Sequence, residues 1–269
     1  MATFVNERTR AGSRWLNETA RRPVFYAITI AFGAFLLFAL QEPLQFVIAA
    51  WLPGYDAPTH RVHHLMIGAL LVLLVLGVLV QLYRPRERVG AFVLAAVIVG
   101  AITLASVIGE GIGAVGGLLI FILPVIVLGV LHPSFRSFRP RRASMDRWMM
   151  GVAIVGAAPL AVFAALQLNL HLTLADDHVL FEHYIMMAGG ALTIAVGALL
   201  ASFRPVGWRM LVYGIAALAI VVAAGSIVFP EPTQGTNFGL IGGALVIIWA
   251  IAFVAISEYG VRASPAMDD

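Results

Sequence analysis

The 269-residue chain contains no cysteine. That removes disulfides, iron–sulfur clusters, thiolate metal sites and cysteine nucleophiles together. It contains no lysine either, since all 17 basic residues are arginines. Schiff-base chemistry, a retinal attached through lysine and a P-loop lysine are excluded with it. Charge itself is scarce: 12% of residues are charged against 61% hydrophobic, and mean hydropathy is +0.95. An ordinary soluble domain carries roughly 25% charged residues. The balance is that of a polytopic membrane protein.

What is present is organised by the bilayer. Eight apolar segments reach the ~20 residues that a membrane-spanning helix needs. They fall near 23–41, 63–82, 90–109, 112–131, 148–168, 183–202, 209–229 and 237–257. The amino-terminal arm, the loops "RPRERVG", "HPSFRSFRPRRASMDR" and "RPVGWR", and the carboxy-terminal tail together hold 16 of the 17 arginines. The positive-inside rule then predicts that both termini are cytoplasmic. The arm lacks the short apolar core and small-residue cleavage site of a signal peptide, so it reads as cytoplasmic. Glu42, Asp56, Glu110, Asp176, Asp177, Glu182 and Glu231 fall on the opposite side, with every histidine except His132. Trp51 and Tyr55, in the first outer loop, suit an interfacial aromatic anchor.

The pattern also repeats. At an offset of 120, His63, Met66, Gly77, Arg84, Pro85 and Ser106 match His183, Met186, Gly197, Arg204, Pro205 and Ser226. At an offset of 126, "GAVGG" at 113–117 matches "GLIGG" at 239–243, and Gln41 matches Gln167. The expected fold is therefore an all-α integral membrane protein, eight transmembrane helices built as a tandem duplication of a four-helix unit. An even number of spans gives both copies the same orientation, related by an axis along the membrane normal. The segments are a cytoplasmic arm (1–22), a first repeat (23–132), an arginine-rich linker (133–147), a second repeat (148–257) and a cytoplasmic tail (258–269).

Chemistry concentrates in "HRVHHLMIG" at 60–68 and "FEHYIMMAG" at 181–189. In both, a histidine and a methionine stand at i and i+3, on one helix face. Imidazole beside thioether suits copper, Cu(I) in particular, and is also an axial pair for haem iron. Copper is the expected cofactor and haem the alternative. The expected metal ligands are His63, Met66, His183 and Met186, with His60, His64 and His178 contributing, and His171 a further donor in reach. Asp56, Asp176, Asp177 and Glu182 are candidates to orient the imidazoles. The competing expectation is that the His and Met positions only cap and fill helices, in a non-catalytic subunit or scaffold packed against a membrane or extracytoplasmic partner. A hydrolytic zinc at His60, His63 or His178, with Asp177 or Glu182 as base, has no His-x-x-x-His motif behind it.

Transport has little support, because the spans hold Thr103, Ser106, Thr193 and Ser226 but no charged residue at mid-depth. Ser106 and Ser226 are expected to bond their own helix carbonyls. The arginines are explained by topology and anionic lipid head groups. Nucleic acid is not an expected partner. The glycine-rich segments follow no strand and are not phosphate loops. The expected location is the cell membrane.

Overall fold

The computed structural model describes residues 2–135, 145–231 and 237–263, with side chains described from 21 to 259 within those ranges. Most of the arginine-rich linker and half of the carboxy-terminal tail lie outside the described residues. Among the described residues ten α-helices follow in order: α1 (Ala2–Ala39), α2 (Gln41–Ala49), α3 (Arg61–Leu79), α4 (Val89–Glu110), α5 (Val115–Leu131), α6 (Arg147–Thr173), α7 (Asp177–Leu180), α8 (His183–Ala201), α9 (Trp208–Val228) and α10 (Gly239–Ala263). No strand occurs among the described residues.

Eight of these helices are long and apolar enough to cross a bilayer. The spans are Arg21–Ala39, Pro58–Leu82, Val89–Glu110, Ile112–Leu131, Arg147–Thr173, His183–Ala201, Trp208–Val228 and Gly239–Tyr259. Each coincides with a span expected from sequence, to within a few residues. With no water to satisfy backbone groups in hydrocarbon, continuous helices are what such sequences can form. Four of their hydroxyls are satisfied within their own helix. Thr29, Thr103, Thr193 and Ser226 each donate to the carbonyl four residues back, at 2.7–2.9 Å.

The helices sort into an inner and an outer set. α3, α4, α8 and α9 touch one another in every pairing and form a central four-helix bundle. Within the 18-residue apolar stretch of each span, 56% to 72% of residues are buried in the inner helices, against 11% to 28% in the outer ones. α1 and α5 flank one side of the bundle, and α6 and α10 the other. Small residues allow the close approach that replaces hydrophobic driving force in lipid. A Cβ on Gly68 of α3 would lie 2.4 Å from the Val47 amide nitrogen, so only glycine lets α2 lie on α3 there. The sequence had presented that stretch as part of a long outer loop.

The arginine end is tied by backbone as well as charge. Arg84 and Arg204, at φ 50° and 47°, both adopt left-handed backbone before a proline as the chain leaves α3 and α8. The Gly90 amide donates to the Val206 carbonyl at 2.8 Å. Gly207 has φ 73°, and a Cβ there would meet the Glu87 carbonyl oxygen at 2.4 Å. Asp146 caps α6 by accepting from the Trp148 and Met149 amides and pairs with Arg204 at 2.6 Å. His132 also lies at this end, bonded through Nε2 to Gln81 at 3.1 Å and through Nδ1 to the Ser134 amide. Burial pushes its imidazole down to about 4. It is a neutral structural histidine.

Candidate metal centre

At the other end of the bundle the amino termini of α3 and α8 come together. His60 closes a short 3-10 turn (Pro58–His60) that leads into α3, and His63 and His64 lie in the first turn of that helix. His183 is the first residue of α8. Before it, Glu182 adopts φ 56°, an αL conformation that costs a non-glycine residue roughly 1–2 kcal/mol. That turn folds the four-residue α7 back over the start of α8 and places His178 beside the others. Burial pushes the Glu182 carboxyl up, and Glu110 adds to the shift.

Five imidazoles result in one volume. His63 and His183 stack at 5.3 Å between ring centroids. His60 lies 4.6 Å from His178 and 4.8 Å from His183, His63 lies 4.7 Å from His178, and His64 lies 5.0 Å from His183. Two triads, His60–His64–His183 and His63–His178–His183, each offer one nitrogen per residue with all three within 4.8 Å of one another. His183 belongs to both. Such donors close around an ion with bonds of about 2 Å after small side-chain adjustments.

The state of each ring nitrogen distinguishes these residues. The Tyr55 hydroxyl hydrogen-bonds His64 Nδ1, which leaves Nε2 to face the cluster, and Phe46 stacks on that ring at 4.1 Å. His178 Nδ1 faces Asp176 at 3.5 Å, and its Nε2 makes only a long 3.4 Å contact with the Thr59 carbonyl. Asp176 also accepts from the Tyr184 hydroxyl at 3.0 Å and from the Val179 amide at 3.1 Å. Burial pushes its carboxyl up, but the Val179 amide, Tyr184 and His178 hold it below the usual range. An ionised carboxylate behind a histidine fixes the ring and raises its basicity toward a metal. His63 is fully buried, yet neither of its ring nitrogens has a partner, and buried His183 Nδ1 has none either. Each such orphan costs about 1–3 kcal/mol. A ligand would relieve it.

Local charge works both ways. Two helix amino termini disfavour a cation by roughly 0.3–1 kcal/mol each. Metal–ligand binding in closed structural sites reaches about 10–16 kcal/mol, so the dipoles do not decide the matter. Arg61 donates to the Ala50 and Leu52 carbonyls at 2.5 and 3.0 Å and lies over the rings of Tyr55 and Phe229.

The structure thus joins five of the seven expected ligands. The two methionines have other neighbours. Met66 is fully buried, and a Cβ on Gly190 would fall 2.1 Å from its Sδ. Gly190 lies two turns along α8 from His183, about 10 Å at 1.5 Å per residue. Met186 lines an apolar hollow of about 270 Å³ with Leu40, Pro43, Ile67 and Phe121. His171 stands apart, 3.9 Å from Glu110. Tyr55, Tyr184 and Phe46 were not anticipated as parts of the site. Tyr184 follows His183 directly, whereas nothing in the sequence links Tyr55 or Phe46 to His64. No protein-family model matches the chain, and no curated protein or solved structure shows detectable similarity to it.

Proposed function

We propose that this multi-pass membrane protein binds copper in its imidazole cluster, for metal handling or electron transfer. The observation that carries the proposal is His63, fully buried with two unpartnered nitrogens among four other imidazoles. Nitrogen-only donor sets suit copper, zinc, iron and nickel, and copper heads the affinity order among them. Haem fits less well. A macrocycle slid between two axial imidazoles would displace the remaining rings, whose centroids lie only 4.6–5.8 Å apart. Met66 and Met186 complete the wider donor set, and each would reach the ion only by leaving its present packing.

The proposal includes an orientation. The arginine end, with both termini, is cytoplasmic, and the cluster faces outward. It also includes descent from a duplicated four-helix unit, 23–132 and 148–257 flanking the 133–147 linker. Two features support that: α3 and α8 each contain 19 residues, and each is followed by an Arg-Pro pair with left-handed arginine. A metals assay with a visible absorption spectrum on the purified protein tests the function. About one copper per chain is expected, lost in the His63→Leu/His183→Leu double variant. Absence of copper and haem under copper-replete conditions would leave the helical scaffold as the account.

A further inference from the structure

We infer that the cluster is a two-station path for one ion: the triad His60–His64–His183 receives it, and the triad His63–His178–His183 retains it. This rests on the metal-binding function proposed above. Three observations carry it.

The triads differ in access. His60 is only half-buried, in the turn that precedes α3, whereas all three members of the second triad are buried. An ion arriving from water meets His60 first. The triads differ also in what they gain. His64 already has the Tyr55 hydroxyl on Nδ1. In the second triad His63 has no partner at either nitrogen, and His178 is backed by Asp176. Coordination there relieves buried polar atoms that nothing else satisfies, so the inner station is the more stable one.

Finally, the stations share His183. A neutral imidazole offers one lone pair, because its other nitrogen carries a proton. Filling both stations at once would need His183 as a bridging imidazolate, with the loss of that proton. With the ring neutral, the ion occupies one station at a time. Because His183 belongs to both triads, the ion can exchange His60 and His64 for His63 and His178 while keeping one ligand throughout. No redox change is needed.

The experiment uses the full-length protein in lipid nanodiscs, with copper as the only added metal. It measures stoichiometry by mass spectrometry, affinity by chelator competition and loading rate by stopped flow. Wild type binds one copper per chain. His60→Ala slows loading at least about tenfold while affinity changes by less than about threefold; His63→Leu and His178→Ala lower affinity at least about tenfold and still load rapidly. His178→Ala lies on the short α7 and serves should His63→Leu fail to fold. Two coppers per chain would overturn the inference while leaving the metal site intact. So would equal affinity losses at both triads, or a His60→Ala variant that loads at the wild-type rate. Wild type that binds no copper would overturn the metal function itself.

Discussion

Replacing His63 by leucine should stabilise the metal-free protein. A histidine kept for packing would give the opposite result. The side chain is fully buried against the rings of His178, His183 and Tyr184, and its two nitrogens find no partner. Two orphaned polar atoms cost roughly 2–6 kcal/mol together, at about 1–3 each. Leucine of similar volume removes both. It forfeits ring stacking of about 0.5–1.5 kcal/mol, and repacking costs up to roughly 1.5 kcal/mol more. At mid-range values of these terms the net is a gain of about 2 kcal/mol for the apo variant. Copper opposes that gain, because free ligand at a hundred times the wild-type Kd stabilises the wild type by ~2.7 kcal/mol and a variant that binds tenfold more weakly by only ~1.4 kcal/mol. Equilibrium unfolding in mixed micelles, with chelator and then with copper, reads both effects. An apo variant destabilised by about 1 kcal/mol or more would refute the reasoning, since the nitrogens of His63 would then be contributing to the fold.

Asp176→Asn leaves the α7 cap in place but removes the charge behind His178, and should lower copper affinity about 10–100-fold with little change in apo stability, as chelator competition would show. Copper loading should fall in acid, because protons compete with the metal for the same ring nitrogens; loading that persists unchanged in acid strong enough to protonate every ring of the cluster would contradict imidazole ligation. Asp146→Asn keeps a competent helix cap yet loses the 2.6 Å pair with Arg204, at a cost of roughly 1.5–3 kcal/mol for a charge-assisted bond. Burial pushes the Asp146 carboxyl up, but the Met149 amide, Arg204 and the Trp148 amide hold it below its ordinary value of 3.8. Its contribution is therefore full well above that value and is lost as pH falls through its lower folded pKa; the stability gap between variant and wild type should close there. Single cysteines at Glu110 and Ala175 should label from outside intact cells, and those at Arg86 and Val206 only after permeabilisation.

The spans were legible because hydropathy over ~20 residues is a strong signal and no charged residue interrupts it. The division into inner and outer helices was not. In lipid the buried and the lipid-facing sides are equally apolar, so α5, with only Val125 and Leu128 buried, reads like the buried α3. α2 and α7 were missed because they are short, nine and four residues, and cross nothing. The repeated His-x-x-Met pointed to the end of the molecule where the imidazoles gather, and to His63 and His183 among them. It did not show that Met66 packs its sulfur over Gly190, since that depends on the register of α3 against α8. Nor could spacing reveal that Tyr55, nine residues before His64 in an irregular loop, returns to that ring.

X-ray absorption at the copper edge of the loaded protein tests the central claim most directly. A first shell of nitrogen at about 2 Å, with the outer-shell scattering of several imidazoles, is the predicted result. The same spectrum should lose that signature in the His63→Leu/His183→Leu double variant. A shell of water or carboxylate oxygen without imidazole scattering, or a spectrum unchanged in the double variant, would contradict the account.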